Sequence, residues 1–116
     1  MKFFHYTNVE AKDAECGSTK LNVRRLITKG TGAENFAMRL FKMEAGGNSP
    51  LHSNNWEHEV FILEGTGLVV GGQQEKKFKP GDTIFIPSNE KHHFRNVSTN
   101  PVTFLCLIPF KEPLNG

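Results

Sequence analysis

The residues most able to do chemistry in this chain are its five histidines, His5, His52, His58, His92 and His93. Two of them stand close together in "PLHSNNWEHEVFILEGTG", residues 50–67. His52, Asn54 and His58 share one parity, so on an uninterrupted strand all three project to one face. His58 also shares that parity with Val60 and Ile62, which places it on the apolar, inward side. An imidazole there is costly unless it is hydrogen-bonded or metal-bound. One such histidine reads as a satisfied core residue. Two, six positions apart, with His92 on a later strand, point towards a metal.

The segment "GGNSPLHSNNWEHEVFILEG" (46–65) and the later "GDTIFIPSNEKHHFRN" (81–96) together resemble the two motifs of the cupin family. They cover about a third of the chain and stand fifteen residues apart, a spacing that resembles small single-domain members. The resemblance implies an all-β fold, a double-stranded β-helix or jelly-roll barrel. More narrowly, "NFAMRLF", "WEHEVFILEG" and "FLCLIP" resemble the small four-histidine manganese cupin type of Thermotoga. That resemblance implies His52, His58 and His92 as metal ligands. Asn54 occupies the place of the fourth histidine. Its amide oxygen could be a weak ligand, or could hold a metal-bound water, or the site could be degraded.

Glu57 and Glu59 flank His58, but their parity aims them at the opposite face, so the implied ligand set is neutral. Asn89 replaces the second motif's glycine, a mild change because Asn tolerates the left-handed conformation. A cavity behind the histidines would be lined by Phe94, with Phe104 and Cys106 opposite. Arg39, which shares a face with Phe41 and Met43, would pair a substrate carboxylate or oxyanion there. Its plain alternative is an exposed arginine at a strand end. Trp56 reads as packing at the barrel mouth or an interface.

The expected cofactor is a divalent transition metal (Mn, Fe, Cu, Ni or Zn). The expected function is a metal-dependent oxidoreductase of dioxygenase type, acting on a small organic substrate. The alternatives are a non-catalytic cupin that binds a small carboxylate or sugar, and a metal-dependent isomerase.

These side chains need strands to position them. Gly, Pro, Asn and Asp recur too often for long helices, and only "NVEAKDAE" (8–15) could hold a helical turn or two. Strands are expected at 22–28, 35–44, 58–64, 67–71, 74–79, 82–86, 92–97 and 102–109. "GTG" (65–67), "GG" (71–72) and "KPGD" (79–82) mark the turns. In 58–64 and 102–109 both parities are apolar, whereas a strand with one wet face alternates. The outer face therefore needs a cover, most simply a second copy in a homodimer. The chain's own terminal segments are the alternative.

Length predicts one domain over 1–116, its barrel core at about 35–109. A net charge of +2, with Arg24-Arg25 and Lys76-Lys77 as pairs rather than patches, argues against nucleic-acid binding. Cys16 and Cys106 lie in unlike contexts, which suggests free thiols and a reducing, cytoplasmic setting. No stretch has the length of a membrane span, and the N-terminal residues turn polar too early for a signal peptide.

Overall fold

A computed structural model describes residues 1–110. Among them nine strands run in chain order: β1 (Lys12–Asp13), β2 (Thr19–Ile27), β3 (Phe36–Asn48), β4 (His58–Glu64), β5 (Gly67–Gly71), β6 (Gln74–Phe78), β7 (Thr83–Ile86), β8 (His92–Arg95) and β9 (Val102–Pro109). They form one curled sheet in the order β6-β5-β8-β3-β9-β4-β7, with β2 on β3 and β1 on β2. Every pairing is antiparallel. This is the jelly-roll half-barrel expected from the sequence. Residues 111–116 of the expected single domain lie outside the described residues.

The long strand β3 holds the two halves of the barrel together. Its first part pairs with β9 from Phe36↔Pro109 to Met43↔Val102, and its end reaches β8 at Asn48↔Arg95. The bend between needs close backbone approach. A Cβ on Gly47 would stand 2.9 Å from the carbonyls of both Glu44 and Thr19.

The turn after β4 has a similar cause. Gly65 takes φ +86, and a side chain there would meet the backbone of Pro101 and Val102. Asn89, in the position where the resemblance expects glycine, adopts φ 68.

Alternation decides what faces inward. His58, Val60 and Ile62 of β4 are buried, as are Val102, Phe104 and Cys106 of β9 and Phe41 and Met43 of β3. Leu21, Val23, Phe78, Ile86 and Phe94 complete the core. Phe41, Phe104 and Phe94 stack in series, with ring centroids 5.2 and 5.0 Å apart. Asn96, 2% exposed, ties the wall together by donating to the carbonyls of Met43 (3.0 Å) and Asn100 (2.7 Å).

The helix expected within 8–15 does not form. A 3-10 turn occupies Tyr6–Asn8, and Lys12–Asp13 instead pairs with Val23 and Asn22 on the edge of β2. With so weak an apolar face, the segment gains more from sheet-edge hydrogen bonds than from a solvated helix. Among the described residues no helix is long and apolar enough to cross a membrane, and both cysteines are free.

Candidate functional site

His52, Asn54, His58, His92, Arg39, Phe94, Phe104 and Cys106, drawn from distant parts of the chain, line one cavity of about 170 Å³. β4 delivers His58, β8 delivers His92 and Phe94, β3 delivers Arg39, and β9 delivers Phe104 and Cys106. His52 and Asn54 reach the cavity by another route than strand parity. Residues 53–57 are not strand, and His52 is placed by an isolated bridge to His92, their backbones exchanging hydrogen bonds of 3.2 and 2.9 Å. The Asn54 carbonyl accepts from Asn89 N–H at 2.6 Å, which joins the two motif loops. Glu57 and Glu59 are exposed, as their parity requires.

Ser49, Trp56, Phe41, Leu21, Ile108 and Glu15 also line the cavity. Glu15 and Ser49 were not foreseen. No periodicity marks them, because each arrives on a loop or strand end brought in by the tertiary fold. Trp56, expected at the mouth, lies with its ring 6.4 Å from that of His58.

The His52 and His92 rings are 5.3 Å apart and those of His58 and His92 4.9 Å apart. Burial, then His92 and Arg39, holds His58 down to about 4. Burial also lowers His92, although its Nδ1 stands 2.9 Å from the Glu90 carbonyl, which opposes that shift. Both imidazoles are therefore neutral at physiological pH.

Arg39 Nη2 donates to Cys106 Sγ at 3.1 Å, and its guanidinium lies 4.9 Å from the centre of the Phe41 ring. Burial pushes the Cys106 thiol up against the opposing pull of Arg39. Arg39 Nε and His58 Nδ1 are both buried without a hydrogen-bond partner, and Arg39 has no carboxylate partner among the described residues.

The expectation of a divalent metal, manganese or another, is corrected here. Although His52, His58 and His92 are neighbours, no group of three or more His, Cys, Asp or Glu side chains among the described residues is arranged to hold a metal ion. The electrostatics run the same way. The histidines bring no negative charge and Arg39 shares their cavity, where the carboxylate on the lining, Glu15, is exposed to solvent and makes no ion pair with the arginine, so little offsets the repulsion a dication would meet. The metal-dependent dioxygenase and oxidoreductase readings fall with it, because both required that ion. The arrangement can instead receive a negative or strongly electron-rich group beside an aromatic wall.

The family model described as the cupin domain, Cupin_2, matches residues 39–108. The polyketide cyclase RemF from Streptomyces resistomycificus superposes with a TM-score of 0.91 at 34% identity, over 97% of this chain and 82% of that one. The 1-methylthio-D-xylulose 5-phosphate methylsulfurylase of Rhodospirillum rubrum is 31% identical over 85 residues, 73% of this chain and 54% of that protein. The chain spans about half the length of the first curated relatives it matches. A predicted oxalate decarboxylase from Thermotoga maritima has a TM-score of 0.82 at 20% identity, over 93% of this chain and 98% of that one, a likeness of fold alone. The narrower resemblance to a four-histidine manganese cupin is not carried by these comparisons.

Proposed function

This chain belongs to the cupin family, and we propose that its cavity binds a small organic anion, a carboxylate or an acidic enol, without a metal. The observation that carries this reading is Arg39. It lines the cavity with a buried Nε that has no partner, and no carboxylate among the described residues neutralises it. A ligand oxyanion would supply that partner through charge-assisted hydrogen bonds, each worth about 1.5–3 kcal/mol.

The stacked rings of Phe41, Phe104 and Phe94 offer a flat apolar wall to the rest of the ligand. At about 170 Å³ the cavity suits a ligand of one ring or a short chain, since pockets that take drug-sized ligands measure roughly 300–1,000 Å³. The fit is to a carboxylate rather than a sugar, because one charged donor and an aromatic slab outweigh the few neutral polar groups.

Calorimetric titration with benzoate, 2,4-dihydroxybenzoate and acetoacetate tests this. Binding is expected for at least one probe, with a loss of about tenfold or more in Arg39→Gln. No binding by any probe, or equal affinity in the variant, would overturn it.

The likeness to a polyketide cyclase at 34% identity favours a second reading, in which the ligand is a chain of alternating carbonyls. A neutral imidazole, His58 or His92, would accept a proton from the acidic carbon between two carbonyls while Arg39 holds the resulting enolate oxygen. Deuterium exchange at the central carbon of acetoacetate, followed by NMR, separates the readings. Binding with no acceleration of exchange leaves a binding protein. The protein is further proposed to be a cytoplasmic homodimer, on the strength of its free thiols and the apolar outer face of β4 and β9.

A further inference from the structure

Ser49 lines the cavity from a position just beyond the end of β3, three residues before His52. Three contacts fix it. Its N–H donates to the Phe94 carbonyl at 2.9 Å, its carbonyl accepts from Asn48 Nδ2 at 3.0 Å, and its Oγ accepts from the Phe94 N–H at 2.8 Å. Backbone and hydroxyl are thus both pinned to one residue of β8.

A serine hydroxyl carries one donor and two acceptor sites. Phe94 engages an acceptor site, so the hydroxyl proton points away from that N–H. It meets no acceptor among the described residues. A donor left over on a cavity wall is a donor for whatever enters the cavity.

Its place relative to Arg39 adds a second requirement on the ligand. The Arg39 guanidinium lies 4.9 Å from the centre of the Phe41 ring. Phe41 stacks on Phe104 at 5.2 Å and Phe104 on Phe94 at 5.0 Å, and Ser49 is bonded to the Phe94 backbone. The two groups therefore stand at opposite ends of the aromatic wall. One end offers a cation, suited to an oxyanion, and the other a neutral donor, suited to an uncharged oxygen.

We propose that Ser49 is a specificity-determining residue, which donates to a carbonyl oxygen at the end of the ligand remote from its carboxylate. The cavity then prefers an oxo acid to the plain acid of the same length. This deepens the anion-binding reading and rests on it. A carbonyl matches a lone donor because it only accepts, whereas a ligand hydroxyl brings a proton that must also be placed. Because the serine is already held, little ordering is lost when the ligand binds. One neutral hydrogen bond of this kind corresponds to about three- to tenfold in affinity.

Calorimetric titration with levulinate (4-oxopentanoate), pentanoate and benzoate tests this, with circular dichroism to monitor folding. The wild type is expected to bind levulinate about three- to tenfold more tightly than pentanoate. Ser49→Ala is expected to lose that preference through weaker binding of levulinate, and Ser49→Thr, which keeps a hydroxyl, to retain it. Binding of no acid overturns the anion reading, and this inference with it. Equal affinity of the wild type for levulinate and pentanoate, or binding of benzoate but of neither chain acid, overturns this inference and leaves the anion site standing. So does a preference that survives in Ser49→Ala, or an equal weakening of both acids there, the mark of a merely structural role. Should Ser49→Ala fail to fold, Ser49→Cys, close in size and a much weaker donor, carries the same expectation.

Discussion

Acidification should destabilise this protein through His58, and the size of the effect can be worked from its setting. The ring is 7% exposed and held from an ordinary 6.5 down to about 4, first by burial and then by His92 and Arg39. The folded state thus keeps His58 neutral in a range where the unfolded chain already binds a proton. More protons on the unfolded state means that stability rises with pH. The contribution is fully present above 6.5, declines as pH falls below it, and is lost by about 4.

At 1.36 kcal/mol per pKa unit the ceiling is about 3 kcal/mol. The ring lines a cavity open to solvent, so about half of that is the better expectation, with roughly 1 kcal/mol lost between about pH 7 and pH 5. His92, lowered chiefly by burial, adds in the same direction. Urea unfolding at a series of pH values would measure this in the wild type and in His58→Gln. The variant should show a flatter dependence in that window, which lies above the titration of ordinary carboxylates. Equal slopes for the two proteins would refute the assignment.

Other outcomes follow from particular contacts. Gly65→Ala should cost more than about 3 kcal/mol or prevent folding, because the turn has φ +86 and the obstruction is backbone of Pro101 and Val102, which thermal unfolding would register. Asn96→Ala removes the side-chain donor to the Met43 carbonyl and one of the two donors to the Asn100 carbonyl, which Ser98 Oγ also reaches, and should cost about 2 kcal/mol in denaturant midpoints at unchanged slope. Arg39→Gln should leave unfolding within about 1 kcal/mol of wild type while weakening anion binding, a split that calorimetry and unfolding together would show.

The strand-rich fold was legible because its signals are local. Alternation in "HEVFILE" placed His58, Val60 and Ile62 inward, glycines marked the turns, and Asn89 took the left-handed conformation expected of it. Even the cavity's main lining, Arg39, His58, His92, Phe94, Phe104 and Cys106, followed from parity on separate strands. His52 and Asn54 reached the same cavity for a reason parity could not give, since a loop and one bridge to His92 carry them there.

What the spacing of three histidines could not reveal was whether their rings converge on a point, because that depends on the relative orientation of a loop and two strands. Nor could it reveal that Arg39 lacks a carboxylate partner, or that the segment 8–15 finds a sheet edge instead of a helix. The sequence by itself determined which side chains face inward, since backbone geometry alone sets that period. Only the tertiary structure decided what those side chains meet once inside, and there the orientation of the three histidines, with Arg39 beside them, removed the expected metal site and led to the proposal of an anion.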